Sequence, residues 1–265
     1  CVTGVQTCAL PIYIQVSDND IQGWQQKVQQ STKPPTDEQN AFVQAIIDRC
    51  KVEKNEFHRW VGAHCQNRGS AFTEPLRVCL LGPPGAGKSY CMHLLSDLIE
   101  SCMKWTDGVQ FQFVAPLNTM AELIGGKTVH SWGCIPANKA AGQTKAANAK
   151  EADWDQLFEN ALSMCWLFID ECSTLAPSLL ATLDSFLRDK ACVRHPYAFR
   201  DPVRKRDARP FGGINIIIGG DLWQLPPVQD IPIYANPMHK GHGRKIRCRR
   251  AADFINVLEI GRAHV

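Results

Sequence analysis

The segment Gly82-Pro83-Pro84-Gly85-Ala86-Gly87-Lys88-Ser89 has the spacing G-x-x-x-x-G-K-S, which constrains the fold more than any other stretch of this 265-residue chain. It follows an apolar run, Val78 to Leu81, that reads as a buried strand. It precedes Met92, Leu94, Leu95, Leu98 and Ile99, which recur at helical spacing. Strand, glycine turn and helix therefore follow one another within about 25 residues, as a phosphate-binding loop requires. The glycines allow successive backbone N–H groups to face polyphosphate oxygens, and the helix N-terminus adds its partial positive charge at the same point. Lys88 is then expected to reach the β- and γ-phosphates, and the Ser89 hydroxyl to meet Mg²⁺. The four fixed positions match by accident in about one chain in a hundred of this length, and the flanking strand and helix make accident rarer still.

Other segments extend this unit into an alternating pattern. Val109 to Ala115 reads as a second strand, Cys165 to Ile169 as a third and Ile214 to Ile218 as a fourth. Helices are expected from Thr36, where Thr36 and Gln39 fit a capping box and Phe42, Val43, Ile46, Ile47 and Cys50 form an apolar face. Further helices are expected over Asn118 to Ile124, ended by Gly125-Gly126, over Trp154 to Leu162, and near Leu179 to Leu187. Strands alternating with helices, each strand ending in polar residues, predict an α/β fold: a parallel sheet flanked by helices, with its ligand at the carboxyl ends of the strands. Residues 137–150 read as an exposed insertion.

Both ends carry a different signature. Gln6-Thr7-Cys8-Ala9-Leu10-Pro11-Ile12 can be encoded by DNA whose opposite strand, read one base later, encodes Ile260-Gly261-Arg262-Ala263-His264-Val265. That DNA resembles a common sequencing adapter, so residues 1–12 and 259–265 are expected to be translated library sequence and the natural protein to be longer at both ends. Residues 13–35, polar and closed by Lys33-Pro34-Pro35, read as a linker, which leaves 36–258 as one ATP-binding α/β domain. No stretch approaches the roughly 20 apolar residues of a membrane span. The twelve cysteines include no C-x-x-C pair, the usage of reduced thiols inside a cell. His239, His242 and Cys248 lack a fourth partner at zinc spacing. A net charge of +3 neither requires nor excludes nucleic acid, and nothing in the sequence indicates an oligomeric state.

Two polar clusters follow the third and fourth strands. Asp170-Glu171 closes the third. A carboxylate at a strand tip can bind the Mg²⁺ that Ser89 touches, and an adjacent glutamate can polarise an attacking water, which makes Asp170 the metal carboxylate and Glu171 the general base. Such a pair alone is equally an ordinary helix N-cap with a first-turn acid. Gly219-Gly220-Asp221-Leu222-Trp223-Gln224-Leu225-Pro226-Pro227-Val228 closes the fourth. Its glycines allow close backbone approach and Gln224 can report a γ-phosphate; alone, the stretch is also a proline-stiffened loop with a solvated glutamine.

Taken together, GPPGAGKS, LFIDECS and GGDLWQLPPV, the last led into by FGGINIIIGG, resemble the superfamily 1 DNA helicases of the petite-integration-frequency type, relatives of RecD. The resemblance covers about Thr36 to Val228 and implies a RecA-like P-loop domain. It implies that Gln39 reads adenine, a role that competes with the capping box, and that Asp221 joins Gly82 to Ser89 and Asp170 in the nucleotide site. It also implies that APLNTMAELIGGKTVHSW carries single-stranded DNA, with Thr128, His130 and Ser131 matching a T-x-H-S element. Relatives usually have Thr-Gly where this chain has Leu117-Asn118, so Asn118 or Thr119 is expected to supply the contact made there. For His130 the alternative is a buried, hydrogen-bonded histidine.

The resemblance further implies 5′-to-3′ ATP-dependent unwinding of DNA, a second RecA-like domain that has no match after Val228, nuclear or mitochondrial location in a eukaryote, and work in telomere maintenance, repair and recombination. A half-site of this kind is expected to bind nucleotide weakly and to turn it over poorly. A different P-loop ATPase such as an AAA+ loader, or a remnant of a mobile element that only binds DNA, are the rival readings. Arg200, Arg204, Lys205, Arg206 and Arg209 form one basic cluster, and Lys240, Arg244, Lys245, Arg247, Arg249 and Arg250 a second. Either a solvated surface or contact with nucleic-acid phosphates suits them.

Overall fold

The computed structural model describes residues 17–62, 72–136, 151–191, 197–201, 206–227 and 232–233. The strands are β1 (Arg77–Leu81), β2 (Phe111–Ala115), β3 (Lys127–Thr128), β4 (Trp166–Ile169), β5 (Phe199–Asp201), β6 (Arg206–Ala208) and β7 (Asn215–Gly220). The helices are α1 (Asp18–Gln29), α2 (Asp37–Gly62), α3 (Lys88–Met103), α4 (Asn118–Leu123), α5 (Val129–Trp132), α6 (Glu151–Ala161) and α7 (Pro177–Phe186). Five strands form a parallel sheet in the order β1-β7-β4-β2-β3, while β5 and β6 make a separate antiparallel pair. This is the expected α/β architecture, a parallel sheet flanked by helices, as in a RecA-like P-loop domain.

Both faces of the sheet are covered, so successive side chains of one strand serve different cores. Trp166, Phe168 and Ile217 pack with Ile46, Leu95 and Leu98 beneath α1, α2 and α3. Leu167, Ile169, Ile216 and Ile218 pack with Trp132, Leu157, Leu180 and Leu183 beneath α5, α6 and α7. Register brings the strand tips level: Leu81 lies beside Gly220, Ile218 beside Ile169, and Ile169 beside Val114. Every polar cluster that follows a strand therefore emerges at one carboxyl edge.

Two expectations change. The 13–35 linker contains α1, capped by Ser17, whose Oγ accepts from Asp20 N; its Ile21, Trp24 and Val28 are buried against α3, and Trp24 Nε1 donates to Asp97 at 2.7 Å. Helix α2 runs 26 residues, well past Cys50. Its far half places Arg49, Glu53 and Glu56 in a buried polar network. Arg49 pairs with Glu53 at 2.8 Å, Asn215 Nδ2 donates to Glu53 at 2.8 Å, and Leu76 N donates to Asn215 Oδ1 at 2.7 Å. This network ties α2 to the start of β7, opposite the carboxyl edge. The basic cluster that includes Arg200 and Arg206, expected to be a solvated surface or a phosphate contact, falls on the β5–β6 hairpin. The insertion at 137–150 and the adapter-like ends lie outside the described residues.

Candidate active site

The phosphate loop leaves β1 at Gly82, whose N–H donates to Gly220 O at 3.2 Å, and re-enters regular structure at Lys88, the first residue of α3. Gly85 and Gly87 both sit at φ +84°, a conformation that costs other residues about 1 kcal/mol or more. Lys88 folds back over the loop, its Nζ donating to Gly82 O at 2.7 Å and Pro83 O at 3.0 Å. Ser89 lies exposed in the first turn of α3.

Gln39 reaches the loop from α2. Its Oε1 accepts from Thr36 N at 3.0 Å, its backbone N–H donates to Thr36 Oγ1 at 3.3 Å, and its Nε2 donates to Ala86 O at 3.3 Å. The capping box is therefore formed, and the same amide touches the phosphate loop. A methyl group on Gly87 would sit 2.5 Å from Gln39 Nε2, so the glycine is what lets this side chain lie against the loop.

The acidic pair stands across the same edge. Asp170 N donates to Val114 O at 2.9 Å, and Asp170 Oδ1 accepts from Glu171 N at 2.9 Å. Glu171 adopts φ +56° and ψ +57°, left-handed for a residue with a Cβ, which costs about 1–3 kcal/mol. Burial, then repulsion from Asp170, push the Glu171 carboxyl above its ordinary value; Lys88 and the neighbouring Ser173 pull it down, and Asp221 adds to the rise. One carboxyl thus feels Lys88, Asp170 and Asp221 together. A proton acceptor with a raised pKa is the form a general base takes at neutral pH.

Gly219 and Gly220 do what two glycines at a strand end can do. A Cβ on Gly219 would lie 3.1 Å from Asp170 Oδ1, and one on Gly220 would lie 2.7 Å from Cys172 N. After them Asp221 is buried, its Oδ1 accepting from Trp223 N at 2.9 Å and its carbonyl from Gln224 N at 3.3 Å. Gln224 follows on the same turn.

Hard oxygen donors suit magnesium, which takes one or two protein ligands and completes its shell with phosphate oxygens and water. Among the described residues no group of three His, Cys, Asp or Glu forms a cage for a metal. An exposed hydroxyl at Ser89 and a half-buried carboxylate at Asp170 are the open, carboxylate-poor set that fits Mg²⁺ arriving with a nucleotide.

The residues expected to meet DNA form a second group on the same edge. Asn118 and Thr119 are exposed at the start of α4, just beyond β2. Thr128 ends β3, and its Oγ1 accepts from Ser131 N at 3.0 Å, capping the short α5. His130 is half-buried and burial pulls its pKa below the ordinary value, so at neutral pH it presents an uncharged ring. In the first basic cluster, Arg200 pairs with Glu74 at 2.7 Å and Asp207 at 3.0 Å, while the buried Arg209 reaches Glu74 at 3.2 Å. Of this cluster Arg204 and Lys205 lie outside the described residues, as does the whole second cluster. Ser173, fully buried beside Glu171, is a site residue that the sequence pattern does not single out, because a serine after an acidic pair has no distinguishing spacing.

A family model described as PIF1-like helicase matches residues 50–237. The chain is 29% identical over 153 residues to the ATP-dependent DNA helicase Pif1 of Psychrobacter, covering 57% of this chain and 20% of that protein. It is 30% identical over 157 residues to the ATP-dependent DNA helicase RRM3 of Saccharomyces cerevisiae, covering 57% and 18%. The chain thus spans about a fifth of the length of these relatives. Among solved structures, the Pif1 helicase from Bacteroides in complex with ADP-AlF3 and ssDNA is 31% identical, with a TM-score of 0.42 over 60% of this chain and 31% of that one.

Proposed function

Because this chain belongs to the PIF1-like helicase family, we propose that it forms the ATP-binding domain of a 5′-to-3′ DNA helicase that couples ATP hydrolysis to movement along single-stranded DNA. The observation that carries the reading is that the phosphate loop with Lys88, the Asp170-Glu171 turn and the Asp221 turn leave adjacent strand ends at one carboxyl edge, with Gly82 N donating to Gly220 O at 3.2 Å.

The nucleotide's β- and γ-phosphates lie along the backbone N–H groups of Gly85 to Ser89, and the Lys88 ammonium leaves its two loop carbonyls to meet them. Gln39, already against Ala86, would read the base of the nucleotide. Asp170 and Ser89 would hold Mg²⁺, which when bound neutralises phosphate charge. Glu171 orients a water on the γ-phosphorus and accepts its proton. The new bond is from water oxygen to phosphorus, the broken one from phosphorus to the bridging oxygen, and the departing electron pair stays on ADP. Gln224, on the turn that Asp221 holds, contacts the γ-phosphate while it is present and loses that contact when it leaves. Asn118, Thr119, Thr128, His130 and Ser131 then offer hydrogen bonds to a DNA strand crossing the same edge.

The test is ATP turnover by the helicase of which this chain is proposed to be the ATP-binding domain, with and without single-stranded DNA. DNA should stimulate turnover, and Glu171→Gln should reduce it by about 10²–10⁴-fold while ATP still binds. Turnover indifferent to DNA, or surviving Glu171→Gln, overturns the proposal. Partial duplexes with a 5′ or a 3′ tail decide direction.

A further inference from the structure

Residues 30–36 connect α1 to α2 beside the first turn of α3, and they include Pro34 and Pro35, which have no N–H to donate. The connection is held through its carbonyls instead. Tyr90, the residue after Ser89, donates its hydroxyl to Lys33 O at 2.6 Å, and Asn40 Nδ2 donates to Pro35 O at 3.3 Å. Tyr90 is half-buried and packs against the core beneath α1, α2 and α3, so its hydroxyl reaches Lys33 from a fixed base. Three residues further on, Thr36 N donates to Gln39 Oε1 at 3.0 Å. A chain of bonds therefore runs from the phosphate-loop helix, through the connection, to the amide of Gln39.

We propose that Tyr90 is a positioning residue for nucleobase selection: by fixing the connection it fixes the Gln39 amide, and through that amide the preference of the site for adenine over guanine. The inference rests on the proposed reading of the base by Gln39 and names what holds that side chain in place. Two bonds orient the amide, Oε1 accepting from Thr36 N and Nε2 donating to Ala86 O at 3.3 Å. A primary amide has two N–H groups and two lone pairs on its oxygen, so one of each is left for a base. Adenine presents an acceptor, N7, beside a donor, the 6-amino group, and satisfies both. Guanine presents two acceptors, N7 and O6, and sets an oxygen against the amide oxygen. Selection thus needs the oxygen and the nitrogen of the amide to keep their places. The phosphate loop fixes the Ala86 end. The Thr36 end is as firm as the connection, which the Tyr90 hydroxyl ties to α3. Without that hydroxyl Thr36 N is free to drift from Gln39 Oε1, while the loop, Lys88 and Ser89 keep their own bonds. Discrimination between bases is lost and the grip on phosphates is kept.

Calorimetric titration of the 265-residue chain with ATP, GTP and inorganic tripolyphosphate, each with Mg²⁺, separates base from phosphate. Tyr90→Phe keeps the ring and deletes the hydroxyl. It should narrow the preference for ATP over GTP about 3- to 10-fold, the worth of one hydrogen bond, and leave tripolyphosphate affinity within about twofold of the wild type. Gln39→Ala should erase the preference by itself, and adding Tyr90→Phe should then change it no further. Equal weakening of all three ligands in Tyr90→Phe would assign Tyr90 to the folding of the loop and overturn the proposal. An unchanged ratio of ATP to GTP affinity, or a loss that adds to that of Gln39→Ala, overturns it too. In each of these cases Gln39 still reads the base, provided that Gln39→Ala erases the preference. A preference that survives Gln39→Ala, or is absent from the wild type, sinks that reading together with this inference.

Discussion

Glu171 is costly to the fold for two reasons, its left-handed backbone and a carboxylate that is partly buried and crowded by Asp170 and Asp221. Because its folded pKa is raised, the folded state holds a proton that the unfolded chain has released. The associated stability is fully present below the ordinary carboxylate pKa and is lost as pH rises through the folded value. Glu171→Gln keeps the shape without the charge, so its unfolding midpoint at neutral pH should exceed that of the wild type, and the gap should close as the solution is acidified. Thermal melts across that range measure it, and a gap that persists in acid would mean the charge is not its cause. The motif residues are legible in the sequence because phosphate loops and acidic strand tips are local patterns. The pair of contacts made by Gln39 is not: the sequence shows a capping box, and only the packing of α2 on the loop lets one amide bond both Thr36 and Ala86.

At the scale of elements, β7 matters because it is inserted between β1 and β4. Its last two residues separate the phosphate loop from the acidic turn, and Gly220 leaves Cys172 N no room for a methyl group. Gly220→Ala should therefore push the Asp170–Glu171 turn away, cost about 1–3 kcal/mol in chemical denaturation and weaken binding of a fluorescent ATP analogue. Unaltered nucleotide affinity would show that the spacing is slack. Strands β1, β2, β4 and β7 are readable from sequence to within about two or three residues, since buried apolar runs in a parallel sheet stand out. Helix α1 is not readable, because its three buried residues, Ile21, Trp24 and Val28, sit among polar ones and before Pro34-Pro35. Nor is β3, which has two residues, or the strand order, because spatial adjacency leaves no trace in local periodicity.

At the scale of the whole molecule, one charge cluster among the described residues serves the fold. Glu74 draws in Arg77, Arg200 and Arg209; burial opposes its ionisation, yet the three guanidiniums together hold its carboxyl below the ordinary range. Those arginines are anchors for the β5–β6 hairpin and the approach to β1. Phosphate contact by Arg200 would add about 0.7 to the salt slope of single-strand binding, so Arg200→Ala should leave that slope unchanged in titrations at several salt concentrations. A slope reduced by that amount would assign Arg200 to DNA.

Lys88, lying on the carbonyls of Gly82 and Pro83, gives the loop a built-in competitor. A polyphosphate does not meet a bare ammonium; it displaces two acceptors, so the attraction felt on entry is the difference between two good sets of partners. In the proposed ATP cycle the same exchange would run backwards after hydrolysis, the cation returning to its two carbonyls as phosphate departs. One side chain with two homes would thus temper affinity for a polyphosphate and ease its release.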